Sequence, residues 1–302
     1  MRRIVAAGLV AMLALTACGG GSSTTEGSAS PSTDDLSYDV SGVQKVDEIA
    51  ALLPERIASR GTLVIAAAPD YAPAEFRADD LQTAIGYDVD LGKALGRVLG
   101  VDTEVNAAEF ASLLPGIGST SDIGISSFTI TPERTASYNM ISYIMVGSSF
   151  AVQKDNPKDF DPDNLCGQTI GVQTGTYQEE ELATMSDQCA ADGKEAINVL
   201  SYGVQSDVTT NLIGGKVVAF YADSTVADYA VALTEGQLEV VGGVRDAAPQ
   251  GIVVSADDAQ LTEAIQRAMQ QLMDDGTWSA ILGSWGVDES AGLKTAELNP
   301  TA

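Results

Sequence analysis

The chain has no histidine among its 302 residues. That absence removes the commonest general base, the Ser-His and Cys-His nucleophile pairs and most zinc sites. Cations are scarce as well: 16 Lys and Arg stand against 42 Asp and Glu, a formal charge of -26. Neutralising phosphates takes Lys and Arg gathered on one face, so no nucleic-acid partner is expected. A well-solvated acidic surface accounts for the charge. No metal and no cofactor is expected. The apolar run from Ile4 to Leu15 is short, at twelve residues. As a helix it would extend ~18 Å, well under the ~30 Å of a hydrocarbon core.

What surrounds that run gives it another meaning. Met1, Arg2 and Arg3 precede it and Leu15-Thr16-Ala17-Cys18 follows, the layout of an export signal. The ending resembles a bacterial lipobox, which implies lipidation at Cys18. A plain secretory signal with an incidental cysteine is the alternative. Gly19-Gly20-Gly21-Ser22-Ser23-Thr24-Thr25 comes next, a composition suited to a flexible tether. Cys166 and Cys189 remain, and an even pair in an exported chain is expected to form a disulfide, free thiols being the other reading. With 22 residues between them, the bridge would contribute roughly 3 kcal/mol in the chain-entropy treatment.

Beyond a helical approach over 43–59, strands and helices alternate. Strand patterns at 62–66, 101–107 and 123–127 are separated by helix patterns at 88–99 and 110–117. The alternation restarts with strands at 169–173, 197–201 and 217–221 and helices at 177–191, 206–213 and 225–233. Alternating strands at 148–153 and 250–254 flank the second set, and Leu261 to Met273 closes the pattern as a helix with an apolar stripe. Such alternation predicts an α/β fold of two lobes built on parallel βαβ units. Two strand crossings would join them, and the carboxyl ends of the strands would face one cleft.

Several segments carry a specific resemblance. Gly61-Thr62-Leu63-Val64-Ile65, Tyr71-Ala72-Pro73 and Gly86-Tyr87-Asp88-Val89-Asp90 come first. Ser126-Ser127-Phe128-Thr129-Ile130-Thr131-Pro132-Glu133-Arg134 follows, then Ile170 to Thr176, Ala222-Asp223-Ser224 and Asp275-Gly276-Thr277-Trp278. In this order, over residues 55 to 287, they resemble the family 3 solute-binding proteins of polar amino-acid ABC importers. The resemblance implies a periplasmic-binding-protein-like clamshell of type II, with two α/β lobes joined by two hinge strands. It divides the chain into a signal peptide (1–18), a tether (19–42), a first lobe (43–150 and 248–287), a second lobe (151–247) and a C-terminal tail (288–302). It also implies a monomer outside the cytoplasm, anchored to the membrane through Cys18, that passes its ligand to an ABC permease and ATPase.

The chemistry of an α-amino acid suits the residues the resemblance brings forward. A carboxylate calls for an Arg fork with hydroxyls and backbone N–H groups, and an ammonium for an acid. Arg134 lies in a first helical turn after Thr131-Pro132-Glu133, where a cation opposes the helix dipole. A surface position is its bland reading, an anionic ligand group its functional one. The resemblance puts the carboxylate on Arg134, Thr129 and the Gly175-Thr176 turn, and the ammonium on Asp223 with Ser127 as an accessory acceptor. Asp223 is equally a candidate helix N-cap. Tyr71 and Phe110 match aromatic walls for the side chain, and core packing is their other reading. Ser126, Gln173 and Gln178 are candidates to bond a polar side chain. Ala68 stands where the resemblance places an acid in members for cationic ligands, and the nearby Asp70 is expected to face elsewhere, which favours a polar ligand that is not strongly cationic. Two rival functions use the same scaffold: a dehydratase resembling cyclohexadienyl dehydratase, and a ligand sensor. The first needs a general acid at the side-chain end of the ligand.

Overall fold

A computed structural model describes residues 37–301. Cys18 and most of the expected tether therefore lie outside the described residues. Two short helices come first, α1 (Asp47–Ala50) and α2 (Glu55–Arg60), in place of one approach helix. Pro54 interrupts them at the N-cap of α2, where a proline cannot continue the preceding helix. Residues 37–42 are not free tether: Val40 is buried, and the Tyr38 N–H donates to Asp90 Oδ2 at 2.8 Å.

The first lobe follows with β1 (Thr62–Ala67), the small pair β2 (Phe76–Arg77) and β3 (Ala84–Ile85), and α3 (Tyr87–Leu99). Then come β4 (Asp102–Ala107), α4 (Phe110–Leu113), β5 (Ile123–Gly124) and α5 (Pro132–Thr135). α3 begins at Gly86, whose φ is +131°; a Cβ there would sit 2.1 Å from the Ala74 carbonyl oxygen. Asp88 and Asp90 in its first turn and Arg97 in its last complement the helix dipole.

Strand β6 (Tyr138–Gln153) carries the chain into the second lobe, which contains β7 (Thr169–Gln173), α6 (Tyr177–Ala191), β8 (Asn198–Tyr202), α7 (Gln205–Ile213), β9 (Ala219–Asp223) and α8 (Ser224–Leu233). Strand β10 (Leu238–Ser255) returns it, and α9 (Ala259–Asp274) and α10 (Thr277–Ser284) complete the first lobe. All strands except β2 and β3 join one sheet in the order β4-β1-β5-β10-β6-β9-β7-β8. β1 is parallel to β4 and β5, and β7 is parallel to β8 and β9. The antiparallel pair β6 and β10 runs through both halves, and its register slips between Val241 and Ala248. This is the two-lobed α/β clamshell that the alternation implied. The expected strands at 148–153 and 250–254 are the ends of these two much longer strands.

One apolar core joins the two lobes, and each lobe adds a smaller cluster of its own. In the second, Phe150 stacks on Tyr221 at 4.2 Å between ring centroids, and the Cys166–Cys189 disulfide ties the last turn of α6 to the loop before β7. In the first, the α9 stripe of Ile265, Met269 and Leu272 is fully buried. The C-terminal segment is part of this lobe: the Leu293 N–H donates to Tyr143 O at 3.1 Å and the Asn299 N–H to Met140 O at 2.8 Å. Among the described residues, no helix is long and apolar enough to cross a membrane.

Candidate functional site

The first lobe presents its strand-end loops to the second. After β1 the chain folds into a tight turn, with the Tyr71 N–H donating to Glu75 O at 2.7 Å. Phe110 opens α4 and stacks on Phe128 at 5.0 Å. β5 is shorter than the expected strand at 123–127, because the chain leaves the sheet and Ser127 takes φ +49°. That left-handed geometry costs a non-glycine residue ~1 kcal/mol or more. It persists because Asp88 Oδ2 accepts from the Ser127 N–H at 2.8 Å and lies 3.3 Å from its hydroxyl. Thr131 caps α5, accepting from the Arg134 N–H at 3.3 Å, with Pro132 as the first helical residue. Arg134 is buried rather than on the surface, and its Nη1 donates to Thr129 O at 2.8 Å. Burial pulls its pKa down, while Glu180, Asp223 and Glu133 push it back up.

The second lobe answers with a helix N-terminus and a strand end. Thr176 caps α6, its Oγ1 accepting from the Glu179 N–H at 3.2 Å and donating to Gln173 O at 2.8 Å. Glu179 reaches back to the Gly175 N–H at 2.6 Å, a reciprocal arrangement close to a capping box. Gly175 has φ +80°, and a Cβ there would meet Ala111 of the other lobe at 3.0 Å. Asp223 ends β9 at the N-cap of α8, yet its side chain makes no capping bond. Its carboxylate instead accepts from Gln178 at 2.7 Å and Gln250 at 2.6 Å. Burial raises its pKa to about 6, against bonds from Gln178, Gln250 and Tyr71 and the charge of Arg134.

Hydrogen bonds cross the cleft and hold the lobes together. Arg134 Nη2 donates to Gly175 O at 3.2 Å, the Asp223 N–H to the Tyr71 hydroxyl at 3.2 Å, and Gln173 Nε2 to Asp70 Oδ1 at 3.2 Å. Between them lies a small cavity of about 10 Å³, lined by Tyr71, Phe110, Ser127, Thr129, Arg134, Gln173, Thr176, Tyr177, Gln178 and Asp223. The sequence candidates thus converge on one place, with one exception. Ser126 lies behind the wall, its hydroxyl donating to Glu75 Oε1 at 2.5 Å and accepting from the Ala68 N–H at 3.1 Å.

Three groups around this cavity escaped the sequence reading. Gln250 reaches Asp223 from β10. Glu75 and Asp88 are both buried in the first lobe, and burial and mutual repulsion push the Glu75 carboxyl well above the usual range. Burial raises Asp88 too, against bonds from the Ser127 N–H and Tyr143. Asp70, expected to face elsewhere, instead reaches the cleft. It lines a wider part of the cleft with Phe76, Glu109, Val204 and Ser206. Burial raises it to about 6, against bonds from Gln173 and the Gln205 N–H, with Glu109 and Asp207 adding to the rise. Asp88 carried the one legible signal, an acid in the first turn of a helix. Among the described residues, no group of three or more His, Cys, Asp or Glu side chains is placed to hold a metal ion.

Two α/β lobes, a hinged pair of long strands and a buried cavity holding one cation and one anion on opposite walls define a ligand-binding clamshell. Residues 63–288 match the bacterial extracellular solute-binding proteins, family 3, and the chain belongs to that family. It is 38% identical to the arginine-binding protein ArgT of Corynebacterium glutamicum over 246 residues, 81% of this chain and 80% of the relative. Among solved structures, a mutant of ArgBP from T. maritima superimposes with a TM-score of 0.70 at 30% identity, covering 77% of this chain and 98% of that one. An ancestral amino acid-binding protein, described as a precursor of cyclohexadienyl dehydratase, matches with a TM-score of 0.66 at 27% identity over 78% of this chain and 99% of its own. These relatives are arginine- or amino acid-binding proteins by name, and the chain is an extracellular solute-binding protein.

Proposed function

We propose that the chain captures an α-amino acid outside the cytoplasm and delivers it to an ABC permease with its ATPase. The observation that carries this reading is the pairing of buried Arg134 and buried Asp223 from opposite lobes in one cavity. A zwitterion supplies the two charges those walls are missing: its carboxylate meets Arg134, Thr129 and the N-terminus of α6, and its ammonium meets Asp223 and Ser127. Because the poles sit on different lobes, the ligand makes all its contacts only when the cleft is shut, and closure follows from that differential affinity.

The side chain would pass between Tyr71 and Phe110 toward Gln173. Ala68 offers no acid there, which favours a polar uncharged side chain. Asp70 changes the balance: it reaches the cleft at its bond to Gln173, desolvated and with further acids around it. Gln173 Oε1 is buried without a partner. A side chain rich in N–H donors satisfies both, so a cationic ligand of the arginine type is the reading we adopt, in line with the ligand named for the relative from Corynebacterium glutamicum. The chain would act as a monomer, held at the membrane by lipid on Cys18.

A thermal-shift panel of all amino acids tests this. Ligand at 100 times its dissociation constant adds ~2.7 kcal/mol of stability, so L-arginine is expected to raise the melting temperature by several degrees. A rise with neutral polar amino acids alone would return the specificity to the uncharged reading. Silence across the panel, after stripping bound ligand, would remove the amino-acid reading. Mass spectrometry of the membrane fraction tests the anchor, an unmodified Cys18 counting against it.

A further inference from the structure

Asp223 is held from both sides of the hinge. Gln178 of α6 belongs to its own lobe, whereas Gln250 lies on β10 opposite Ile144, in the first-lobe half of the long strand pair. Asp223 lies opposite Ser148, in the second-lobe half. The Gln250 bond therefore spans the stretch where β6 and β10 lose register. A further slip of the ladder falls between Gln250 and Gly251. Gln250 is 1% exposed, and its Oε1 has no partner. An unpaired buried amide oxygen costs ~1–3 kcal/mol, a cost that leucine or methionine at this position would not incur.

We infer that Gln250 is a positioning residue for the amine subsite, orienting the Asp223 carboxylate and holding it ionised from across the hinge. The inference rests on the reading of Asp223 as the ammonium acceptor. The charged and titratable groups facing Asp223 are Arg134 on α5, Tyr71 in the turn after β1 and Tyr87 on α3. Arg134 alone favours ionisation by charge; the amides of Gln178 and Gln250 do so by donating. Opening the hinge takes the Gln250 donor away. The amine subsite is therefore fully prepared only in the closed arrangement, and closure and ammonium binding reinforce one another.

The test is a ¹³C titration of the Asp223 carboxyl in the full chain, its signal assigned by loss in Asp223→Asn. The wild-type midpoint is expected near 6. Gln250→Met should move it up by ~1 unit, and Gln250→Asn, which keeps a shorter donor, by less. L-arginine affinity should then fall about fivefold at pH 6 and hardly at all at pH 8 in Gln250→Met, a pH signature that a general loss of packing would not produce. A midpoint unmoved in both variants overturns the inference. Should Gln250→Met fail to fold, Gln250→Asn alone decides. Failure of the underlying reading looks different: Asp223→Asn would bind L-arginine as tightly as the wild type, whatever the titration shows.

Discussion

Two places in this molecule bury carboxyl groups, and they are built in opposite ways. At the cleft, Asp223 has two amide donors, a tyrosine hydroxyl nearby and the Arg134 charge across the cavity. Behind the cleft, Glu75 and Asp88 face one another, and hydroxyls and one N–H are their partners. Burial raises all three, and of the three Asp223 is the one supplied with amide donors and a positive charge. Like charges in a low-dielectric site cannot both ionise, so Glu75 and Asp88 share a proton. The first arrangement leaves a charge available to a ligand. The second keeps one charge for two carboxyls and spends its hydrogen bonds on Ser126, Tyr143 and the left-handed Ser127. On the proposed function, one acid site serves recognition, and the other holds the neighbouring loops in place.

The largest effect should come from taking away the cation that separates the two sites. Arg134→Ala is expected to weaken L-arginine binding by more than ~3 kcal/mol, over a hundredfold, by calorimetric titration; an unchanged affinity would mean that the cavity is not organised around this charge. A smaller loss, about tenfold or ~1–2 kcal/mol, is expected for Asp70→Asn with L-arginine and almost none with L-citrulline. Equal losses with both would show that Asp70 shapes the cleft without reading ligand charge. The smallest effect on binding belongs to the shared-proton pair: Glu75→Gln keeps a neutral hydrogen-bonding group facing Asp88 and should change affinity less than threefold.

The same pair governs how stability depends on pH. The folded pKa values of Glu75 and Asp88 lie above the unfolded ones, as do those of Asp70 and Asp223 near 6. Between the unfolded values near 4 and the folded ones, the native state holds more protons than the unfolded chain. Stability is thus fully present below about pH 4 as far as these groups are concerned, and is lost as pH rises through the folded pKa values. Unliganded protein should melt higher at pH 5 than at pH 8, and Glu75→Gln should flatten that slope. A melting temperature that rises from pH 5 to pH 8 would contradict the shared proton.

Much of this was legible in the sequence, and the limits are physical. β7 and α6 were readable to the residue because Thr169–Gln173 is a buried run and Thr176, three residues before Glu179, is a capping signal. The cavity residues were legible because Ser127 to Arg134 and Ala222 to Ser224 carry a family pattern. The full lengths of β6 and β10 were not. Their centres contain Gly147, Gly242 and Gly243, which read as breaks, although the chain passes through them as strand. Gln250 was invisible for a related reason: only the irregular ladder turns its amide toward Asp223. Glu75 and Asp88 lie on a turn and on a helix, each unremarkable alone, and their meeting is a tertiary fact. Asp70 was weighed against Ala68 by sequence position, and the bond from Gln173 decides which of them reaches the cleft.

The central claim is that Arg134 and Asp223 read the two charges of one amino acid. Calorimetric titration of L-arginine into the wild-type chain and into Asp223→Asn at pH 7.5 tests it most directly. The account predicts a loss of at least ~2 kcal/mol, thirtyfold or more, since a buried ammonium would lose its charged partner. Equal affinity for the two proteins would contradict it.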